Sequence, residues 1–365
     1  MASYSDLETK YNGFQLPRFS ISIGSSISGV TEVKLDEIPI IDVTVKQSAG
    51  YEMSSCNFVI AGIFDYENSK LKKDILSTFM PGKAVDVKMG YDNADNLKGV
   101  FQGFITTIDF DFEGEGGPNI TVQCLDAKAA LTNIITFSNQ GEMEINKVLK
   151  QILDNSCTNF VTTIKTPESA YKKEENNTEI KKGMDDYRYL TMIASIMNES
   201  FCILYDTLYF CKNLSGVNKD PVLELTWGKH LLSFQTTIDL SKQVGTVQVD
   251  GKDSGKGFFK GEAKTSWAKM PDVAKNKTIQ LNDQKLTDNK QAEDMAKETL
   301  ASYAAQLVKC NGKTIGIPDI KAGYTIKVSG MGKGLDRSFF MNEVTHIING
   351  NGYITTFQGV SSSID

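Results

Sequence analysis

The sequence predicts a mainly β, α+β fold: two β units, each a barrel or sandwich by its strand pattern, related by internal duplication and separated by a small α/β domain. Three observations carry this reading. Apolar residues alternate over most of both ends, a middle stretch has helical periodicity, and strand and glycine patterns recur at long period between the ends. The expected boundaries are 1–131 for the first barrel, 132–228 for the middle domain with a polar loop at 165–183, and 229–365 for the second barrel with an inserted helix at 288–308.

Taken in order, Phe19, Ile21 and Ile23 alternate with serines, Ile41, Val43 and Val45 with polar residues, and Val85 and Val87 do so again, as strands with one apolar face require. Leu71, Ile75, Leu76 and Phe79 recur at helical spacing, and Pro81-Gly82 stops that helix. Ile145, Val148, Leu149, Ile152 and Leu153 share one helical face. After the charged loop, Asp185 or Asp186 caps a second helix through Leu190, Ile193, Ala194 and Met197. FCILY and LYFC then read as a tight hairpin turning at Asp206-Thr207. Beyond Trp227 strands return with VGTVQV, and a long helix behind an Asp288 cap carries Ala292, Met295, Ala296, Leu300, Tyr303, Ala304 and Leu307 on one face. The rest is β.

The repeat sets PGKAVDVKMG, FQGFITTI and ITVQ against KAGYTIKVSG, FMNEVTHI and ITTF. Gly82 falls on Gly323, Val85-Asp86-Val87 on Ile326-Lys327-Val328, Gly90 near Gly330 and Phe101 on Phe340. Ile105-Thr106-Thr107-Ile108 then falls on Val344-Thr345-His346-Ile347, with the following hairpin five residues shorter in the second copy. His346 is accordingly expected to be a solvent-facing or interface strand residue in the place of Thr107. The candidate repeat and interface positions are Gly82, Gly90, Phe101, Thr106, Thr107, Gly323, Gly330, Phe340, Thr345 and His346.

Composition narrows the function. Hydrophobic residues make up 40% and charged residues 23%, with 13 Tyr and 19 Phe, so the chain has the means to bury a core. The net charge of −6 and scattered lysines argue against sequence-specific nucleic-acid binding. The N-terminus lacks the pattern of a signal peptide, and no apolar stretch is long enough for a membrane helix. The six cysteines form no C-x-x-C pair and are expected to be reduced and buried.

No residue is assigned a catalytic, cofactor or metal role. Asp109, Asp111, Glu113 and Glu115 resemble the start of a calcium loop, but the twelfth position is Ile120. Alternation with Ile108, Phe110 and Phe112 marks an acidic strand face instead. Cys310 with His346 is a poor nucleophile–base pair, because Cys310 follows the C-terminal end of its helix. His230 has no companion at zinc-ligand spacing. GKDSGKG fails the phosphate-loop spacing, and GMGKG leads to a strand where a dinucleotide fingerprint opens a helix.

PGKAVDVKMGY, VFQGFITTIDFDF, ITVQCLDAKAAL, MEINKVLKQIL, DDYRYLTMIASIMNESFCILYDTLYF, VGTVQVDG, AGYTIKVSGMG and VTHIINGNGYITTF, in that order, resemble the baseplate hub proteins of contractile phage tails. The likeness is to the late control protein D type, related to the hub part of VgrG spikes. That resemblance implies that the two β units are tube-like β-barrels, and that the chain is a homotrimer whose six barrels form a pseudo-sixfold ring joining a hexameric tail tube to a trimeric spike, among other baseplate proteins. The chain runs only to VSSSID after the second barrel, so the spike is expected on a separate polypeptide, and no lysozyme domain is read here. Synthesis in the bacterial cytoplasm and assembly into a phage tail, tailocin or injection-system particle would follow. Two rival readings are a cell-wall hydrolase, which a peptidoglycan zymogram would reveal, and a carbohydrate-binding β module, which would bind glycans and not tube protein.

Overall fold

A computed structural model of the chain describes residues 3–71, 74–93, 96–112, 118–132, 143–157, 160, 163–165, 177–178, 184–196, 199–211, 214–253, 257–283 and 288–362. Most of the polar loop 165–183, Glu113, Glu115, Met197 and the centre of GKDSGKG lie outside the described residues.

The N-terminal helix α1 (Tyr4–Lys10) opens on a capping box between Ser3 and Asp6. The first half then contributes β1 (Pro17–Gly24), β2 (Ile40–Ser48), β3 (Ser55–Ile60), β4 (Ala84–Tyr91), β5 (Lys98–Asp111) and β6 (Asn119–Leu125). Inward residues at period two, such as Val43 and Val45 on β2 and Val85 and Val87 on β4, are fully buried. The helix expected over Leu71–Phe79 is a single turn at Ile75–Thr78 capped by Asp74, and Leu71 sits in a short strand. Four apolar residues at helical spacing suffice for one turn but not for a helix that nucleates alone.

The middle unit packs α2 (Ile145–Ser156) and α3 (Asp186–Ile196) around Val148, Leu149, Ile152, Leu190, Ile193, Phe201 and Phe210. Asp185 is the cap of α3, taking a hydrogen bond from the Arg188 N–H at 2.8 Å. The hairpin β7 (Ser200–Leu204) and β8 (Thr207–Cys211) pairs Leu204 with Thr207, so its turn is Tyr205-Asp206, one residue earlier than expected. Tyr205 takes φ 57°, a left-handed conformation that the tight turn imposes.

The second half holds β9 (Pro221–Thr226), β10 (Leu231–Ile238), β11 (Thr246–Asp253), β12 (Gly257–Lys264), β13 (Thr278–Asp283), α4 (Asn289–Ala304), β14 (Val308–Ile315), β15 (Thr325–Ser329), β16 (Arg337–Asn349) and β17 (Gly352–Ser361). Two departures from the sequence reading follow. β9, placed by sequence at the end of the middle unit, is hydrogen-bonded to β15. β11, read as a strand of the second barrel, instead joins β12 and β13 in a separate three-stranded sheet. α4, capped by Asp288, covers that sheet with Ala292 and Ala296 against Val247, Val249 and Ala263, so the insertion is a small β/α layer with its own core.

The two halves are joined edge to edge by hydrogen bonds. A 13-stranded sheet runs β10-β14-β17-β16-β2-β3-β6-β5-β4-β1 and ends on the short strand Thr31–Glu32 beside β1, with β15 and β9 branching from β16. β2 and β16 join the halves antiparallel, pairing Glu343 with Ser48 through Ile348 with Val43. One hydrophobic core runs through both halves, including Val43, Phe58 and Val87 from the first and Val308, Phe339 and Val344 from the second.

Glycine is required at one repeated position. Gly82 and Gly323 precede β4 and β15 with φ of 92° and 82°, and their N–H groups donate to Ile105 O and Met341 O at 2.7 and 2.8 Å. Gly82→Ala should cost about 1–2 kcal/mol from the left-handed backbone alone. Gly323→Ala should cost more, because a Cβ there would meet Leu204 Cδ1 at 2.3 Å. Thermal melts of the two variants check the order; equal losses would contradict it.

Candidate assembly interface

Strand pairing shows the duplication directly. In the first half the lateral order is β2-β3-β6-β5-β4, and in the second it is β10-β14-β17-β16-β15, with chain order preserved; the flanking strands differ, since β1 runs antiparallel to β4 and β9 parallel to β15. Irregularities recur with it. β5 carries an extra residue at Thr106, between the Ile105–Cys124 and Thr107–Gln123 pairs. β16 carries one at Asn342, between Met341–Gly359 and Glu343–Gln358. β2 is bulged at Ile41 and β10 at Leu232, and both side chains are exposed, at 53% and 55%. A bulge reverses which face each later residue presents, so matched bulges keep both copies in phase.

These registers correct the alignment read from sequence. Ile105 corresponds to Met341, Thr106 to Asn342 and Phe110 to His346, three residues away from the expected match of Thr107 with His346. Phe340 matches Phe104, since each pairs with the first residue of its partner strand, Thr325 and Ala84. Val87 pairs with Phe101 and Val328 with Arg337, so the five-residue difference lies in the connection before the long strand and not in the hairpin after it. The match of Gly82 to Gly323 stands.

His346 therefore faces inward, where Thr107 faces solvent, and its exposure is 0%. The Ile320 carbonyl, 3.0 Å from Nε2, can only accept, which fixes the Nε2–H tautomer. Nδ1 then offers its one lone pair to the hydroxyls of Tyr353 and Thr355, which lie 2.9 and 3.0 Å away. Thr355 Oγ1 also accepts from the Ile317 N–H at 3.0 Å. Around this knot Tyr91 OH donates to Gly316 O at 2.7 Å, Tyr11 OH to Asp319 at 2.5 Å, and Lys10 pairs with Asp319 at 3.0 Å. His346 thus pins residues 316–320 beneath α1 and between the halves. Burial pushes its imidazole down to about 3, so it is neutral at pH 7.

Cys310 lies on β14, and burial pushes its thiol up to about 12. All six cysteines are free and buried. Asp109 and Asp111 line the exposed side of β5, with Gln123 donating to Asp109 at 2.8 Å. His230 stacks on Tyr4 at 3.7 Å between ring centres and accepts from the Thr226 N–H.

Two polar joints hold the middle unit against the sheet. Lys128, fully buried, donates to Gly50 O at 3.1 Å and to Glu52 O, and lies 3.5 Å from Asp126. Asp126 also accepts from the Ser54 and Lys128 N–H groups, while burial pushes its carboxyl upward. Beside this joint a cavity of about 220 Å³ is lined by Gln47, Gln102, Tyr205, Lys321 and Tyr324. Tyr205, on its wall, donates its hydroxyl hydrogen to Asp86 at 2.7 Å. Sequence reasoning missed both joints, because Lys128 meets Gly50 and Glu52, and Tyr205 meets Asp86, across long separations in the chain.

What the geometry offers is strand edges and packed faces, with its central histidine neutral and hydrogen-bonded. The fold is that of hub-like phage tail and baseplate proteins. The 43 kDa tail protein of prophage MuSo2 from Shewanella oneidensis matches with TM-score 0.68 at 11% identity, covering 94% of this chain and 99% of that one. A tail protein from Neisseria meningitidis matches with TM-score 0.65 at 14% identity, covering 95% and 97%. The E. coli c3393 protein, a type VI secretion component described as similar to T4 tail proteins gp27 and gp5, matches with TM-score 0.54 at 13% identity over 89% and 74%. The chain belongs to the family described as Alg8 N-terminal domain, whose profile matches residues 25–350. A comparison with curated protein sequences finds no match. No helix among the described residues is long and apolar enough to cross a membrane.

Proposed function

We propose that the chain is the structural hub of a contractile tail or injection machine: a homotrimeric adaptor that joins a hexameric tail tube to a trimeric spike and nucleates tube assembly. The observation that carries this reading is the duplicated strand unit, whose lateral order and bulges recur within one chain. Each unit serves as one tube-like barrel, so three copies present six similar surfaces to a sixfold partner. The chain works through complementary edges and faces, is made in the bacterial cytoplasm, and is built into the particle with other baseplate proteins. Of the repeat positions, Gly82, Thr106, Thr107, Gly330, Phe340 and Thr345 are at least partly exposed and serve as the contact surface, while Gly90, Phe101 and Gly323 are buried and shape the units from within.

Light scattering at micromolar concentration, with and without the spike partner, should give the mass of a trimer. Co-expression with a candidate tube protein should give stacked rings by electron microscopy. Monomers under every condition would sink the adaptor.

A further inference from the structure

The join between the halves leaves two edges that repeat it without a partner. On β16, Phe340 pairs with both Thr325 and Val360, so β15 and β17 occupy opposite edges of that strand. β2 continues the β15 edge, along Glu343 to Ile348. On β5, Phe104 likewise pairs with both Ala84 and Leu125, placing β4 and β6 on opposite edges. Beyond Phe104 the β4 edge continues along Thr107 to Asp111 with no strand against it among the described residues. The counterpart of β2 is β10, which pairs only with β14 among the described residues. Its sequence, LLSFQTTI, carries no charge and no proline, the devices that normally protect a free edge.

We propose that β10 of one copy pairs antiparallel with Thr107 to Phe112 of a second copy, repeating between chains the β2–β16 join found within the chain. This deepens the ring-forming reading above and rests on it. The register follows from the matched bulges. Val45 and Thr236 both lie opposite a cysteine of the neighbouring strand, Cys56 and Cys310, and are therefore equivalent. The internal pair His346–Val45 then becomes Phe110 with Thr236, and Thr345–Lys46 becomes Asp109 with Thr237. The same register sets Ile108 against Ile238, Asp111 against Gln235, Phe112 against Phe234 and Thr107 against Asp239. Apolar residues thus meet mainly apolar ones, polar residues meet polar ones, and no like charges are opposed. Phe112 and Ile238, which are 62% and 44% exposed in the single chain, would both be covered.

The test is disulfide trapping in the full-length protein. Asp109→Cys with Thr237→Cys should give, after mild oxidation, covalent oligomers up to trimer on a non-reducing gel. Each single variant should not, nor should Asp109→Cys with Ser233→Cys, which shifts one partner about 13 Å along the strand. Lys46→Cys with Thr345→Cys, the internal equivalent, should close within one chain and serves as the positive control. Thr107→Cys with Asp239→Cys probes the same register if the first variant fails to fold. Trimers by light scattering without trapping in either pair, or equal trapping by the offset pair, would overturn the proposed join while leaving the adaptor standing. Monomers throughout would overturn both.

Discussion

Lys128→Met should destabilise the protein by about 3–5 kcal/mol, read as a lower urea midpoint of the first unfolding transition at pH 7. The ammonium and the Asp126 carboxylate are both buried, at 0% and 3% exposure, and Lys128 Nζ also donates to the Gly50 and Glu52 carbonyls. Removing the cation leaves a carboxylate and two carbonyls in a dry joint. The double variant Lys128→Met/Asp126→Asn should recover part of the loss, since a neutral amide no longer needs a counter-charge. If the single variant melts like the wild type, or the double variant is worse by the full sum of the two singles, the joint is not a coupled pair.

Acid should weaken the fold through His346. An imidazole held neutral to about pH 3 in the native state, against roughly 6.5 in the unfolded chain, binds its proton first in the unfolded chain. Its contribution is whole above the unfolded pKa and falls as pH drops from about 6.5 towards 3. At about 1.36 kcal/mol per pH unit, roughly 2 kcal/mol is lost between pH 7 and pH 5. His346→Phe places in the second repeat the residue that Phe110 supplies in the first. At pH 7 it should cost about 2–4 kcal/mol, because Ile320 O and the Tyr353 hydroxyl lose their partner. Its further loss on going to pH 5 should be smaller than the wild type's. An unchanged loss over that interval would place the acid sensitivity elsewhere.

Much of the architecture was legible before any coordinates. Asp185 and Asp288 cap their helices as read, the middle unit's apolar stripe is its core, and Gly82 and Gly323 are equivalent. The errors share one cause. The Thr106 bulge interrupts the alternation of β5, so I-T-T-I carries apolar residues three apart and can be laid on V-T-H-I, three residues from its structural match. Only the cross-strand pairs reveal that Thr106 and Asn342 are the extra residues, and those bulges decide that His346 points inward. VGTVQV had the alternation of a barrel strand, but which sheet a strand joins depends on hydrogen bonds to segments far away in sequence.

Periodicity and glycine placement, properties of neighbouring residues, determined the element types, the duplication and the mainly β class. The tertiary structure alone decided the register of the repeat, the fusion of both halves into one sheet, the burial of His346 and Lys128, and the two edges that have no partner strand among the described residues. Those depend on which strand meets which and where a ladder skips a residue. Chain pairing at a distance sets both, and a local pattern compatible with several registers does not specify one.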